Sequence, residues 1–149
     1  RVSVYSQPEE EVEDNIEKRF AAWSLKFLDE NQNQAAIDSD TNGDGYADIF
    51  SYAFNIDVTA PAMGPNLPKQ VVDGDDMLIQ MTLTNDPDLV VDHQSSANVR
   101  DWRSLIKGTD YTVDSNTDNG DGTSTLILRI NSVASDDSFF YRTAISARY

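Results

Sequence analysis

The apolar residues change their spacing partway along this chain. Near the start, Val12, Ile16, Phe20, Trp23 and Phe27 recur at intervals of four, four, three and four, which lays a single apolar stripe along a helix ending near Leu28. Ser6-Gln7-Pro8-Glu9 reads as the start of that helix. Ser6 caps the first turn, Glu9 completes a capping box three residues on, and Pro8 is tolerated there. The acids that follow, Glu10, Glu11, Glu13 and Asp14, suit the positive end of a helix dipole. The stripe has two readings: it packs on the chain's own later residues, or it docks on a neighbour.

Residues 29–48 are polar, and a second apolar patch of Ile49, Phe50, Tyr52, Ala53, Phe54 and Ile56 predicts a short helix. Pro61, Gly64, Pro65 and Pro68 then make a connector of restricted flexibility. Beyond it the period becomes two. Met77, Ile79, Met81 and Leu83 alternate with Leu78, Gln80, Thr82 and Thr84, the pattern of a strand with one buried face. Residues 125–131 repeat it through Leu126, Leu128 and Ile130, and residues 139–148 through Phe139, Tyr141, Thr143 and Ile145. Residues 89–93 and 111–113 are shorter candidates, with turn clusters at 73–76, 85–88, 115–122 and 135–137. The predicted fold is mainly β: a small antiparallel β-sandwich over residues 69–149, preceded over residues 1–60 by an amphipathic helix and an EF-hand-like loop, the two packed as one unit.

Charge narrows the partners. Twenty-six acids against eleven bases leave the 149 residues at −15, a surface that repels phosphate backbones and anionic lipid and attracts divalent cations. Nucleic acid is therefore not an expected partner. The absence of cysteine removes disulfides, thiolate catalysis and cysteine-ligated zinc. With no apolar run of about eighteen residues, membrane insertion is not expected either. Arg1 to Gln7 does not read as a signal peptide.

The sharpest chemical signal is Asp40-Thr41-Asn42-Gly43-Asp44-Gly45-Tyr46-Ala47-Asp48. It sets oxygen side chains at positions 1, 3, 5 and 9 of an EF-hand-type loop, with glycine at position 6. Calcium takes six to eight hard oxygen ligands, and alternate residues of a tight turn can point inward together. The expected metal ligands are Asp40, Asn42, Asp44, the Tyr46 carbonyl and Asp48, with Asp38 as a further carboxylate. Position 12, where a regular loop carries a bidentate glutamate, is Ser51. A second acidic stretch offers Asp114, Asn116 and Asp118 for another cation. Its Asn119-Gly120 and Asp121-Gly122 pairs are equally the chemistry of a plain hairpin.

The order of these features resembles a known kind of module. A helix with Phe20-Ala21-Ala22-Trp23 precedes the Asp-rich loop, and Phe50-Ser51-Tyr52-Ala53-Phe54 follows it. The β-region then carries Asp101-Trp102, Asp121-Gly122-Thr123 and the aromatic Phe139-Phe140-Tyr141-Arg142. This is similar to the C-terminal accessory modules of large secreted bacterial proteins, often polysaccharide-active enzymes, and the loop is similar to thrombospondin type 3 and dockerin calcium repeats. The resemblance implies an extracellular, non-catalytic, calcium-binding role.

Catalysis finds no footing in the residues. His93, the sole histidine, lacks nucleophile-elbow patterning, and no glycine-rich phosphate loop follows a strand. Two accessory roles remain. The first is carbohydrate binding, with Trp102, Arg103 and Tyr111 as the expected ligand residues and a neutral or anionic polysaccharide as partner. Trp102 reads equally as a core plug. The second is a calcium-stabilised spacer, attachment or self-assembly domain, in which the apolar stripe or the alternating Val2 and Val4 engage a neighbouring protein domain.

Overall fold

A computed structural model describes residues 15–28, 36–61, 63–74, 76–131 and 139–148. The expected cap at Ser6, the stripe residue Val12 and the Val2/Val4 strand lie outside them. The first helix, α1 (Ile16–Ser24), is capped by Asn15, whose extended backbone breaks the helical run and whose side chain accepts the Lys18 N–H at 3.0 Å. The stripe therefore does not run unbroken back through Val12. A local Asn cap satisfies the first turn at residue 15. From there on the spacing holds: Ile16, Phe20 and Trp23 are buried, and Phe27 packs partly against them.

Short helix α2 (Asp48–Ala53) packs against α1. Its Ile49 and Tyr52 join the α1 stripe, while Ala53 and the following Phe54 enter the interior of the sheets. Phe20, Trp23 and Tyr52 meet with ring centroids 5.3 to 5.7 Å apart. The Trp23 indole N–H donates to Asn55 at 2.9 Å, so its polar end is satisfied where its ring is buried. The far side of this cluster touches Leu89, Ile145 and Ala147. Of the two readings of the stripe, the one realised is packing on the chain's own β-region.

Seven strands follow: β1 (Lys69–Asp73), β2 (Asp76–Thr84), β3 (Leu89–Ser96), β4 (Arg103–Ser104), β5 (Tyr111–Asp118), β6 (Thr123–Ile130) and β7 (Phe140–Ala147). They form two antiparallel sheets, one ordered β1-β2-β6-β5 and the other β4-β3-β7. Ile79 and Met81 of β2 and Leu128 and Ile130 of β6 supply one side of a shared interior. Leu89, Tyr141 and Ile145 of the other sheet pack against it. The mainly-β expectation holds, with two antiparallel sheets and two short helices among the described residues.

One predicted turn is a strand. Residues 115–118 belong to β5, paired with β6 from Ser115↔Ile127 to Asp118↔Ser124. Ser115, Asn116, Thr117 and Asp118 carry no apolar alternation, so pairing with β6 imposes their extended state, not their own preference. The two-residue β4 and the hairpin strand β1 were not expected for the same reason.

One buried carboxylate joins the helices to the sheets. Asp86, in the turn between β2 and β3, has no exposed side-chain surface. Arg19 of α1 grips it through Nε at 2.9 Å and a terminal nitrogen at 2.8 Å, and also reaches Asp88 at 2.6 Å. The Tyr52 hydroxyl of α2 donates to Asp86 at 2.6 Å, and the Asp88 N–H at 2.9 Å. Burial pushes the Asp86 carboxyl up, but the Arg19, Tyr52 and Asp88 hydrogen bonds outweigh it and hold the group below its ordinary value of 3.8. Burial also raises the Tyr52 hydroxyl well above its usual range, so it remains a donor.

Arg19→Met strands a buried anion and should cost on the order of 3 to 5 kcal/mol in denaturant unfolding. The double variant Arg19→Met/Asp86→Leu should lose less than that single variant, because the stranded charge is gone. The depressed Asp86 pKa adds stability that is present above about pH 4 and is lost as pH falls through the folded-state value. Asp86→Asn should flatten that acid limb.

Candidate functional site

The Asp-rich loop is closed at its base by backbone bonds from the Asp48 N–H to the Ser39 carbonyl and from the Ile49 N–H to the Ile37 carbonyl. Within it, Gly43 and Gly45 take φ of 70° and 91°, a region that other residues enter only with strain. These turns aim N–H groups at the loop's own side chains. Asp40 accepts from Asp44 at 3.1 Å and from Gly45 at 2.9 Å, one on each carboxylate oxygen. Asn42 Oδ1 accepts from the Asp44 N–H at 3.0 Å, and Asp44 Oδ1 from the Tyr46 N–H at 2.9 Å.

The donor set of Asp40, Asn42, Asp44, Asp48 and the Tyr46 carbonyl is entirely hard oxygen, which fits calcium in chemistry. The positions differ. Asp40, Asn42 and Asp44 sit together over the turn. Asp48 is buried and turned onto Thr41, accepting its N–H at 2.7 Å and its hydroxyl as well. Asp38 is exposed, and Ser51 is buried within α2. Among the described residues no three His, Asp or Glu side chains already converge on one point. The loop is thus held by its own backbone and side-chain hydrogen bonds, with Asp48 as its internal staple.

The second acidic stretch is differently placed. Asp114 stands at an irregularity in β5 and is engaged by Arg129 at 3.0 Å, and Asp118 accepts the Gly120 N–H at 2.9 Å. Alternate residues of an extended strand lie roughly 7 Å apart, so Asn116 and Asp118 run along β5 instead of surrounding a point.

The three expected ligand residues do not form one open platform. Trp102 is half-buried, with the Arg142 guanidinium 4.2 Å from its ring centroid. Arg103 is held by both oxygens of Asp110, at 3.0 and 3.2 Å. Tyr111 is half-buried and meets His93 edge-on at 5.4 Å. An exposed aromatic lies elsewhere: Tyr46, in the Asp-rich loop, is 52% exposed and stacks on Phe50 at 4.6 Å. Sequence reasoning used Tyr46 only for its carbonyl. The spacing of Tyr46 and Phe50, four residues apart at a helix start, was the available sign.

His93 is a packing residue. Its ring is buried between Tyr111 and Tyr141, and Nδ1 is hydrogen-bonded to the Tyr141 hydroxyl. Burial lowers its pKa to about 4, with Asp92 opposing the shift. No helix among the described residues is long and apolar enough to cross a membrane. Comparison with family models, with curated proteins and with solved structures found no match to this chain.

Because the folded state holds His93 neutral, its contribution is intact above about pH 6.5 and is lost as pH falls from there toward 4. The stability difference between the wild type and His93→Gln should shift against the wild type by on the order of 3 kcal/mol between pH 7 and pH 4. Parallel denaturant titrations at the two pH values would measure it. A constant difference would mean that the imidazole titrates normally.

Proposed function

We propose that this chain is a non-catalytic accessory domain of a secreted bacterial protein, a β-sandwich stabilised by calcium at its Asp-rich loop, which binds carbohydrate. The observation that carries this reading is the Asp40 cradle: a carboxylate fixed by the N–H groups of Asp44 and Gly45, with Asn42 and Asp44 beside it. Calcium would be held by Asp40, Asn42, Asp44 and the Tyr46 carbonyl, with Asp38 as a further carboxylate and Asp48 stapling the loop through Thr41. It would supply charge neutralisation and rigidity in a chain of net charge −15.

Carbohydrate is favoured as ligand by the resemblance of the motif order to accessory modules and by aromatic rings outside the core. Tyr46 offers an open ring backed by Phe50, the surface that a sugar's apolar face stacks on. The alternative, a calcium-stabilised spacer or attachment domain, draws on the burial of the α1 stripe within the chain's own core, which makes the unit stiff.

A ligand bound only by the folded state stabilises it by about 2.7 kcal/mol at one hundred times its Kd. Calcium should therefore raise the melting temperature relative to chelator, and Asp44→Ala should abolish the difference. Identical melts with calcium and with chelator would remove the metal from this account. Retention on an immobilised polysaccharide panel, in calcium and in chelator, then separates binding module from spacer.

A further inference from the structure

Three arginines of this acidic chain are matched to carboxylates, while Arg100, Arg142 and Arg148 form no ion pair among the described residues. Arg19 holds Asp86 and Asp88, Arg103 holds Asp110, and Arg129 holds Asp76 and Asp114. Arg142, exposed on β7, has no carboxylate partner among the described residues. Its guanidinium is nevertheless fixed twice. One face lies over Trp102 at 4.2 Å, and Nε donates to the Gln94 side-chain Oε1 at 2.7 Å, across the β3–β7 register pair.

Gln94 is itself set. Its amide nitrogen donates to Asp92 Oδ2 at 2.6 Å, and the Ser104 hydroxyl donates to the same oxygen at 2.9 Å. That bond decides which way the Gln94 amide points, so its oxygen faces Arg142. With one ring face and Nε occupied, the two terminal nitrogens are left with no described partner. A planar guanidinium edge of this kind matches a carboxylate through two parallel hydrogen bonds. Since the torsional freedom of the arginine is already restricted, less is lost when a ligand binds.

We propose that Arg142, backed by Trp102 and oriented by Gln94, receives the carboxylate of a uronic-acid sugar. This inference rests on the carbohydrate-binding reading above and specifies its ligand as an acidic glycan. Charges beyond about 8 Å are largely screened at physiological salt, and Asp92, joined through Gln94, lies within that range, so the fork geometry of Arg142, not a local excess of positive charge, selects the carboxylate. Trp102 serves here as the bed of the arginine, and sugar contact falls on the guanidinium edge.

The test is a heteronuclear NMR titration of the whole chain, following the two tryptophan indole N–H resonances. The probes are a short oligogalacturonate, its neutral galactose counterpart and inorganic sulfate. Oligogalacturonate should shift the Trp102 indole resonance saturably while Trp23, buried and bonded to Asn55, stays still and reports an intact fold. Arg142→Gln should weaken binding at least tenfold. Arg142→Lys, which keeps the charge but loses the fork, should fall between. A shift with sulfate alone would replace a carboxylate ligand by a sulfate ester. Equal binding of oligogalacturonate by Arg142→Gln would overturn the proposal. Binding of the neutral oligosaccharide only would overturn it too, while leaving the carbohydrate-binding reading in place. Silence with every probe would overturn the proposal, while the polysaccharide panel decides the carbohydrate-binding reading separately.

Discussion

A carboxylate with no exposed surface, Asp86, determines how the two halves of this chain meet. A buried anion is costly unless every lone pair finds a donor, and the donors come from three separate segments: Arg19 on α1, Tyr52 on α2 and the Asp88 N–H in its own turn. None of these segments can move away without stranding the charge. The aromatic cluster of Phe20, Trp23 and Tyr52 packs beside the same group, so apolar burial and the ion pair fix one geometry. The helices therefore cannot be repositioned independently of the β2–β3 turn.

The Asp-rich loop inherits its position from that arrangement. It leads directly into α2, its base is tied to Ile37 and Ser39, and Asp48, the first residue of α2, staples it through Thr41. Since Ala53 and Phe54 at the other end of α2 enter the sheet interior, a ligand that orders the loop acts on both cores. A loop with Ser51 at position 12 lacks the usual reaching glutamate. Its backbone is held instead from within, by the Asp48–Thr41 pair.

Most of the element order was legible in the sequence, because the buried faces of α1, β2, β6 and β7 are written in simple periods. Helix α1 (Ile16–Ser24) starts behind an Asn15 cap that the spacing of the stripe did not mark. The polar end of β5 was unreadable: its strand state comes from β6, which no local pattern encodes. The turns of the loop were legible in Gly43 and Gly45, which take positive φ, but the diversion of Asp48 to Thr41 was not. Nor was the fate of the ligand candidates. Trp102 and Arg103 each met a partner, Arg142 and Asp110, and that contact depends on which strands pair. Charge composition hid the Asp86 clamp in the same way, since one acid among twenty-six carries no mark of burial.

The central claim is that helices, loop and sheets unfold as one unit clamped at Asp86. Differential scanning calorimetry of the whole chain tests it by comparing the calorimetric with the van't Hoff enthalpy. The account predicts a single transition with the two enthalpies equal, in calcium and in chelator alike. Two transitions, or a van't Hoff enthalpy well below the calorimetric one, would mean that the helical lead-in melts away from intact sheets, and would contradict it.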